Sequence, residues 1–232
     1  MNQSIAPLLP LLVLTISVLF VITCIVWLFC DHGLDKLKNS EEWRNVGSSG
    51  EQIIFITLRD KIHIPENQIL RNVYIPTKDG GTSEIDILVI SKKGLLVFEC
   101  KNYAGNIYGD MKRNKWVQYL GGKKSYFYNP FLQNKSHVKH LTEYLNQYSS
   151  LPVKPFVTTI SRGKWKVKNL GPEDYFLGYN CHLKDVLETM PESETMMRNF
   201  GAIMQQLKPL SRPDESIREE HIEQIKQRSN HS

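Results

Sequence analysis

Residues 84–101 read Glu-Ile-Asp-Ile-Leu-Val-Ile-Ser-Lys-Lys-Gly-Leu-Leu-Val-Phe-Glu-Cys-Lys, and they restrict the fold more than any other stretch. Two apolar, β-branched runs flank a Ser-Lys-Lys-Gly turn, which is the pattern of a β-hairpin. Nearly every position in both runs is apolar, so both faces of the hairpin are expected inside a sheet. Asp86, Glu99 and Lys101 interrupt the pattern. A charge buried without a partner is costly, so these groups need one another or a metal. Strand side chains alternate, so Glu99 and Lys101 point the same way. If Lys92 and Lys93 alone form the loop, Asp86 stands opposite Glu99 and both carboxylates share a face with the ammonium. A bulge with Gly94 left-handed would shift the register by one. A shared site then demands the tight loop, or a second irregularity near Asp86 that restores it.

The chain of 232 residues has room for one membrane segment and one sizeable domain. Its formal net charge of +5 is mildly basic and compatible with a phosphate-bearing partner or a membrane surface. Cys24, Cys30, Cys100 and Cys181 have neither zinc spacing nor the look of a disulfide framework. They are read as reduced thiols in a cytosol-facing protein.

Leu8 to Phe29 is almost continuously apolar. It matches the roughly 20 residues that a helix needs to cross a bilayer. Pro7 and Pro10 lie at its start, where a helix tolerates proline, and Trp27 lies at interface depth. No Lys or Arg precedes the run and no small-x-small cleavage site follows, which argues against a signal peptide. Lys36, Lys38 and Arg44 follow it, so the positive-inside rule places the N-terminus outside and the rest in the cytoplasm. The expected protein is a single-pass inner or plasma membrane protein.

Residues 31–47 form a tether. Ser48 and Ser49, each followed three residues later by Glu51 or Gln52, are capping-box patterns that start a helix. Ile54 and Leu58 continue its face with Glu51. Gln68 to Ile75 reads as a strand and Pro76 to Thr82 as a turn, before the central hairpin. Lys115 to Leu120 and Lys123 to Tyr128 read as a hairpin around Gly121-Gly122. Asn129-Pro130 is an N-cap followed by proline at the first helical position. The helix Phe131 to Tyr148 carries a core stripe of Leu132, Val138, Leu141 and Leu145. A polar stripe of Gln133, His137 and His140 runs beside it. Pro155 to Ile160 and Tyr175 to Tyr179 are strands, with Ser161 to Asp174 a loop between them. Leu183 to Met190, Glu192 to Leu207 and Glu215 to Arg228 are helices. The pattern is a mixed α/β domain, helix then sheet then helix, with a helical tail.

A carboxylate, a turn and then Glu-x-Lys on the next strand are parts from which a magnesium-dependent phosphodiesterase can be built. Two carboxylates supply hard oxygen donors for Mg²⁺ or Mn²⁺, and the backbone carbonyl of Cys100 offers another. A lysine beside the cation orients the attacking water, and both offset charge developing on phosphorus oxygens.

Gly50-Glu51, Glu84-Ile85-Asp86, Gly94-Leu95, Glu99-Cys100-Lys101-Asn102, Gly105-x-Ile107-x-Gly109, Trp116, Asn129-Pro130-x-x-Gln133-Asn134 and His137 occur in that order. Residues 50 to about 148 thereby resemble the NERD domain, the nuclease-related domain grouped with the PD-(D/E)XK nucleases. The resemblance implies a restriction-endonuclease-like mixed central sheet flanked by helices, preceded by a transmembrane helix and followed by the helical tail. The divisions it suggests are an anchor (1–30), the tether (31–47), the nuclease-like core (48–150), the remaining strands and helix of the same domain (151–190), and the tail (191–232). It implies Asp86 and Glu99 as metal ligands with the Cys100 carbonyl, and Lys101 as the water-positioning lysine. Glu51 would hold a second metal or a bridging water, and Gln133 would face the site. The proline of the family name is Ile85 here, which touches no ligand.

Each residue also has a plainer reading. Glu51 can cap its helix, and Asp86 can bond a turn amide. Glu99 and Lys101 can form a salt bridge, and Gln133 can bridge backbone. His137 and His140 read as a wet helix face or packing groups, and Trp116 as core. Lys92, Lys93, Lys112, Arg113, Lys115, Lys123 and Lys124 sit at turns, where charges are usually solvated; the functional alternative is a basic rim contacting phosphates. The leading expectation is a membrane-anchored, cytoplasmic, Mg²⁺-dependent nuclease-like protein that cleaves DNA. The alternatives are a non-catalytic nucleic-acid-binding or signalling module of the same fold, and a tethered scaffold whose helical tail recruits a protein.

Overall fold

A computed structural model describes residues 50–148, 150–159, 163–171, 174–178, 183–211 and 221–223. The expected transmembrane run Leu8 to Phe29, the tether, the Ser48 and Ser49 caps and most of the Glu215 to Arg228 helix lie outside the described residues. Among the described residues no helix is long and apolar enough to cross a membrane.

The first helix, α1 (Gly50–Ile56), buries Ile54 and runs on through a π turn, Thr57–Lys61, which buries Leu58. A five-stranded sheet follows. It contains β1 (Ile69–Pro76), β2 (Thr82–Ser91) and β3 (Gly94–Cys100), with β7 (Val153–Thr159) and β9 (Tyr175–Gly178) added later, in the order β1-β2-β3-β7-β9. The first three strands are antiparallel neighbours, whereas β7 and β9 add in parallel. The tight loop holds: Ser91 pairs with Gly94 and Ile87 with Phe98, leaving Lys92-Lys93 as the turn. Both runs are buried, as their apolar character requires.

Helix α2 (Pro130–Tyr144) crosses this sheet. It starts where the Asn129 side chain accepts the Phe131 N–H at 3.0 Å, with Pro130 at the first helical position. It ends at Tyr144 rather than Tyr148, since residues 145–147 make a turn. Leu141 and Leu145 are buried in one core with Ile85, Leu88, Leu95 and Val97, while Leu132 and Val138 are only partly covered. Helices α3 (Leu183–Thr189) and α4 (Glu194–Leu207) complete the unit. Met196, Ile203 and Leu207 of α4 join the same core on a helical stripe. Ser193 caps α4, and its backbone N–H donates to Lys92 O at 2.8 Å, tying the helix to the central turn.

A single central sheet is not what forms. β4 (Asn106–Asp110), β5 (Lys115–Leu120), β6 (Lys123–Tyr128) and β8 (Lys164–Lys168) make a second sheet, in the order β6-β5-β4-β8. The expected loop from Ser161 to Asp174 therefore contains a strand, paired in parallel with β4. Its Lys-Trp-Lys-Val-Lys pattern alternates strictly, but its partner lies far off in sequence. The β5–β6 hairpin turns at Gly121 and Gly122 as expected, both at positive φ. Trp116 is fully buried, as the plainer reading had it, and its ring lies against Gly109, where an added Cβ would come within 2.5 Å.

Candidate functional site

The site begins where the pleat of β1 and β2 breaks. Arg71 pairs with Ile87 and Val73 with Ile85, so Asn72 lies opposite Asp86. Asn72 has φ +48°, a left-handed strand residue. Ile85 and Leu88, three positions apart, enter the same core, so strict alternation fails between them. Both the direct register and an irregularity near Asp86 are present. One step beyond the Ile87–Phe98 pair, that register sets Asp86 opposite Glu99.

Glu99 is fully buried. Its Oε1 lies 2.5 Å from Lys101 Nζ, yet no donor approaches that oxygen along a hydrogen-bond direction. Its Oε2 meets His137 Nε2 at 3.1 Å, and His137 Nδ1 meets Ser83 Oγ at 2.8 Å. His137 is buried on α2, as the packing reading rather than the wet-face reading has it, and it joins an internal chain Ser83–His137–Glu99–Lys101. The recoverable signal was its placement one turn after Gln133. Gln133 itself is half-buried. His140, on the same stripe, lies 3.6 Å from Glu143 and does not reach the chain. Asn134 donates to Val97 O and Phe156 O, each at 3.0 Å, and so stitches β3 to β7 beneath the site.

Asp86 is half-buried and its Oδ2 accepts the Cys100 N–H at 2.7 Å. Burial, and then the charge of Glu99, push its carboxyl well above the usual aspartate range. Burial followed by the charge of Asp86 likewise pushes the Cys100 thiol up. Burial works against the Lys101 ammonium, but its ion pair with Glu99, and then the charge of Asp86, outweigh it and hold the amine above its ordinary range. Lys101 is therefore a cation, suited to orienting water or balancing an oxyanion rather than to taking a proton.

Glu51 sits on the α1 side. Burial, then the charge of Glu84, raise its carboxyl, opposed by Arg71 and by a hydrogen bond from Asn72; Glu99 comes last among these influences. Glu84 is bound by Tyr74 Oη at 2.8 Å and by Asn72 Nδ2 at 3.3 Å. His221 touches the same carboxylate at 3.5 Å. Glu51 is half-buried on α1, where the charge of Glu84 acts on it more strongly than that of Glu99. Among the described residues, no group of three or more His, Cys, Asp or Glu side chains is arranged to hold a metal ion. Asp86 and Glu99 are the adjacent carboxylates, with the Cys100 carbonyl between Glu99 and Lys101. Two adjacent carboxylates, one pushed up by burial and then by the other's charge, are hard oxygen donors of the kind a divalent cation takes, and Glu99 Oε1 has its ion pair with Lys101 but no well-directed hydrogen bond.

The seven turn cations do not share one edge. Lys92 and Lys93 belong to the five-stranded sheet, and Lys93 Nζ donates to Leu187 O at 2.6 Å and Glu188 O at 3.2 Å, capping α3. Lys112, Arg113 and Lys115 lie at one end of β5 and Lys123 and Lys124 at the other, because successive turns of antiparallel strands alternate ends.

A mixed α/β domain with Asp86 inside one strand, opposite Glu99 at the end of the next and with Lys101 directly after it, is consistent with a nuclease-like fold. Residues 46–160 match the family model of the nuclease-related domain, NERD. An uncharacterized protein from Bacillus anthracis is 28% identical over 188 residues, covering 81% of this chain and 86% of the relative. No solved structure matches.

Proposed function

We propose that this protein is a Mg²⁺- or Mn²⁺-dependent phosphodiesterase acting on DNA, anchored in a membrane through Leu8 to Phe29 with its domain in the cytoplasm. The observation that carries the reading is the Glu99–Lys101 ion pair, 2.5 Å long, on the strand end facing Asp86. Asp86, Glu99 and the Cys100 carbonyl would hold the cation, which supplies Lewis-acid stabilisation and an activated water. Lys101 would donate to an attacking water or to a phosphate oxygen, orient it in line, and counter negative charge on phosphorus oxygens. His137, backed by Ser83, keeps Glu99 aimed. Glu51 and Gln133 are the supporting residues in this proposal.

A second reading rests on one observation: both Glu99 oxygens already have cationic or polar neighbours in Lys101 and His137. That arrangement suits a structural ion cluster in a non-catalytic nucleic-acid-binding module. Relaxation of supercoiled plasmid by the full chain in Mg²⁺ separates the two. The nuclease reading expects nicking that chelation abolishes and that Lys101→Ala lowers by about 10²–10⁴-fold. Undiminished nicking by Lys101→Ala, or none by wild type, would end it.

A further inference from the structure

The second sheet has two unlike faces. One carries Ile107, Trp116, Phe127 and Trp165 and is covered; Trp116 packs edge-on to Phe127 at 6.2 Å and Trp165 at 6.4 Å. The other face is open. Strand register lays it out in rows: Lys124, Tyr119, Asn106 and Lys164 in one, then Tyr126, Val117, Tyr108 and Lys166. A third row adds Tyr128, Lys115 and, through β4 and β8, Asp110 and Lys168.

Four tyrosines stand exposed here: Tyr108 at 42%, Tyr119 at 43%, Tyr126 at 61% and Tyr128 at 51%. Lysine ammoniums lie over three of the rings. Lys124 is 4.9 Å from Tyr126 and 5.9 Å from Tyr119, and Lys166 is 5.5 Å from Tyr108. Tyr108 and Tyr119 meet edge-on at 5.6 Å and line a depression of about 420 Å³ with Asn106 and Val117.

An ordinary solvated strand face mixes lysine with glutamate and threonine. Here five lysines face one acid, Asp110, whereas the whole chain has 29 basic to 24 acidic residues. Asp110 is itself occupied by Asn169 Nδ2 at 2.8 Å and the Lys112 N–H at 3.0 Å. Flat rings set among ammoniums match a ligand with aromatic faces and regularly spaced anions. The loop 101–105 ties this sheet to β3, with Lys101 directly after the strand's last residue, and Gln118 Nε2 holds that loop at Ala104 O, 2.8 Å.

We propose that the open face of β6-β5-β4-β8 binds single-stranded nucleic acid, its tyrosines stacking unpaired bases and its lysines following the phosphates. This deepens the nuclease reading and rests on it for the fate of the bound strand. Duplex bases are already stacked on each other, so a duplex meets only the lysines.

The test measures anisotropy of a labelled oligothymidylate, about 15 nucleotides long, against the full chain in non-ionic detergent with a chelator present, so no turnover enters. Tight, salt-sensitive binding is expected, with the duplex of that length weaker. Tyr108→Ala/Tyr119→Ala should weaken the oligothymidylate about tenfold or more, and an abasic strand should lose as much on wild type. Lys164→Gln/Lys166→Gln should reduce the salt slope by about 1.4. Asp86→Asn should bind normally, so failure of the nuclease reading alone leaves this binding intact. All substitutions on the face are at exposed positions, and circular dichroism checks the fold. An oligouridylate arm decides between DNA and RNA, and either result keeps the face as the site. Equal affinity for abasic and normal strands, no effect of the tyrosine pair, or light scattering that shows wild type dimeric and the tyrosine variant monomeric would overturn the proposal. Preferential binding of anionic vesicles over the oligonucleotide would overturn it too.

Discussion

His137 Nε2 lies 3.1 Å from Glu99 Oε2, opposite the oxygen that faces Lys101. The histidine therefore sets how a fully buried carboxylate is turned. His137→Ala strips that oxygen of its partner and is expected to cost about 1.5–3 kcal/mol in urea unfolding. His137→Gln keeps a donor and is expected to recover most of the loss. In the nuclease reading, Mn²⁺ affinity measured by calorimetry falls with His137→Ala and returns with His137→Gln. Equal stability of all three proteins would show that the contact holds nothing in place.

Asp86 links folding to pH. Its folded carboxyl is raised above 3.8 by burial and by Glu99, so the folded state binds a proton that the unfolded chain has released. That contribution is complete below the ordinary aspartate range and is lost as pH rises through the raised folded value. Glu51 is shifted the same way from 4.5. The metal-free protein is expected to lose melting temperature over that interval, and Asp86→Asn to flatten the loss. Mg²⁺ at neutral pH should raise the melting temperature of wild type and not of Asp86→Asn. A metal-free profile identical in wild type and Asp86→Asn would contradict the arrangement.

Gly105 lies in the loop from Lys101 to the second sheet at φ +79°, and an added Cβ would collide with the backbone of Tyr119. Gly105→Ala is expected to cost about 2 kcal/mol or more, since both the dihedral and the approach are lost. Chemical denaturation measures this. Gly121→Ala, at a turn with open space around it, serves as the milder comparison.

Lys93 caps α3 through Leu187 O and Glu188 O. Lys93→Met should lower stability by about 0.5–1 kcal/mol through the helix terminus and leave oligonucleotide affinity unchanged. A fall in affinity comparable with that of the face lysines would restore Lys93 to a phosphate-contacting role.

Only the structure chose the two-residue loop that sets Asp86 opposite Glu99, because runs that are apolar at nearly every position leave a hairpin's register open to a bulge at Gly94; the hairpin itself was legible along the chain. So were the Asn129 cap with Pro130, the Gly121-Gly122 turn and the burial of Trp116. Each depends on the dihedral preferences or polarity of residues close in sequence. Tertiary structure alone decided the rest. Parallel pairing of β3 with β7 and β4 with β8 joins distant segments, so no local pattern announces it, and Lys164–Lys168 passed for loop. Ser83, Glu99 and His137 meet across separations of 54 and 38 residues. The tyrosine and lysine face exists because Trp116, Phe127 and Trp165 fill the opposite side, a choice of face that the hairpin alone leaves open.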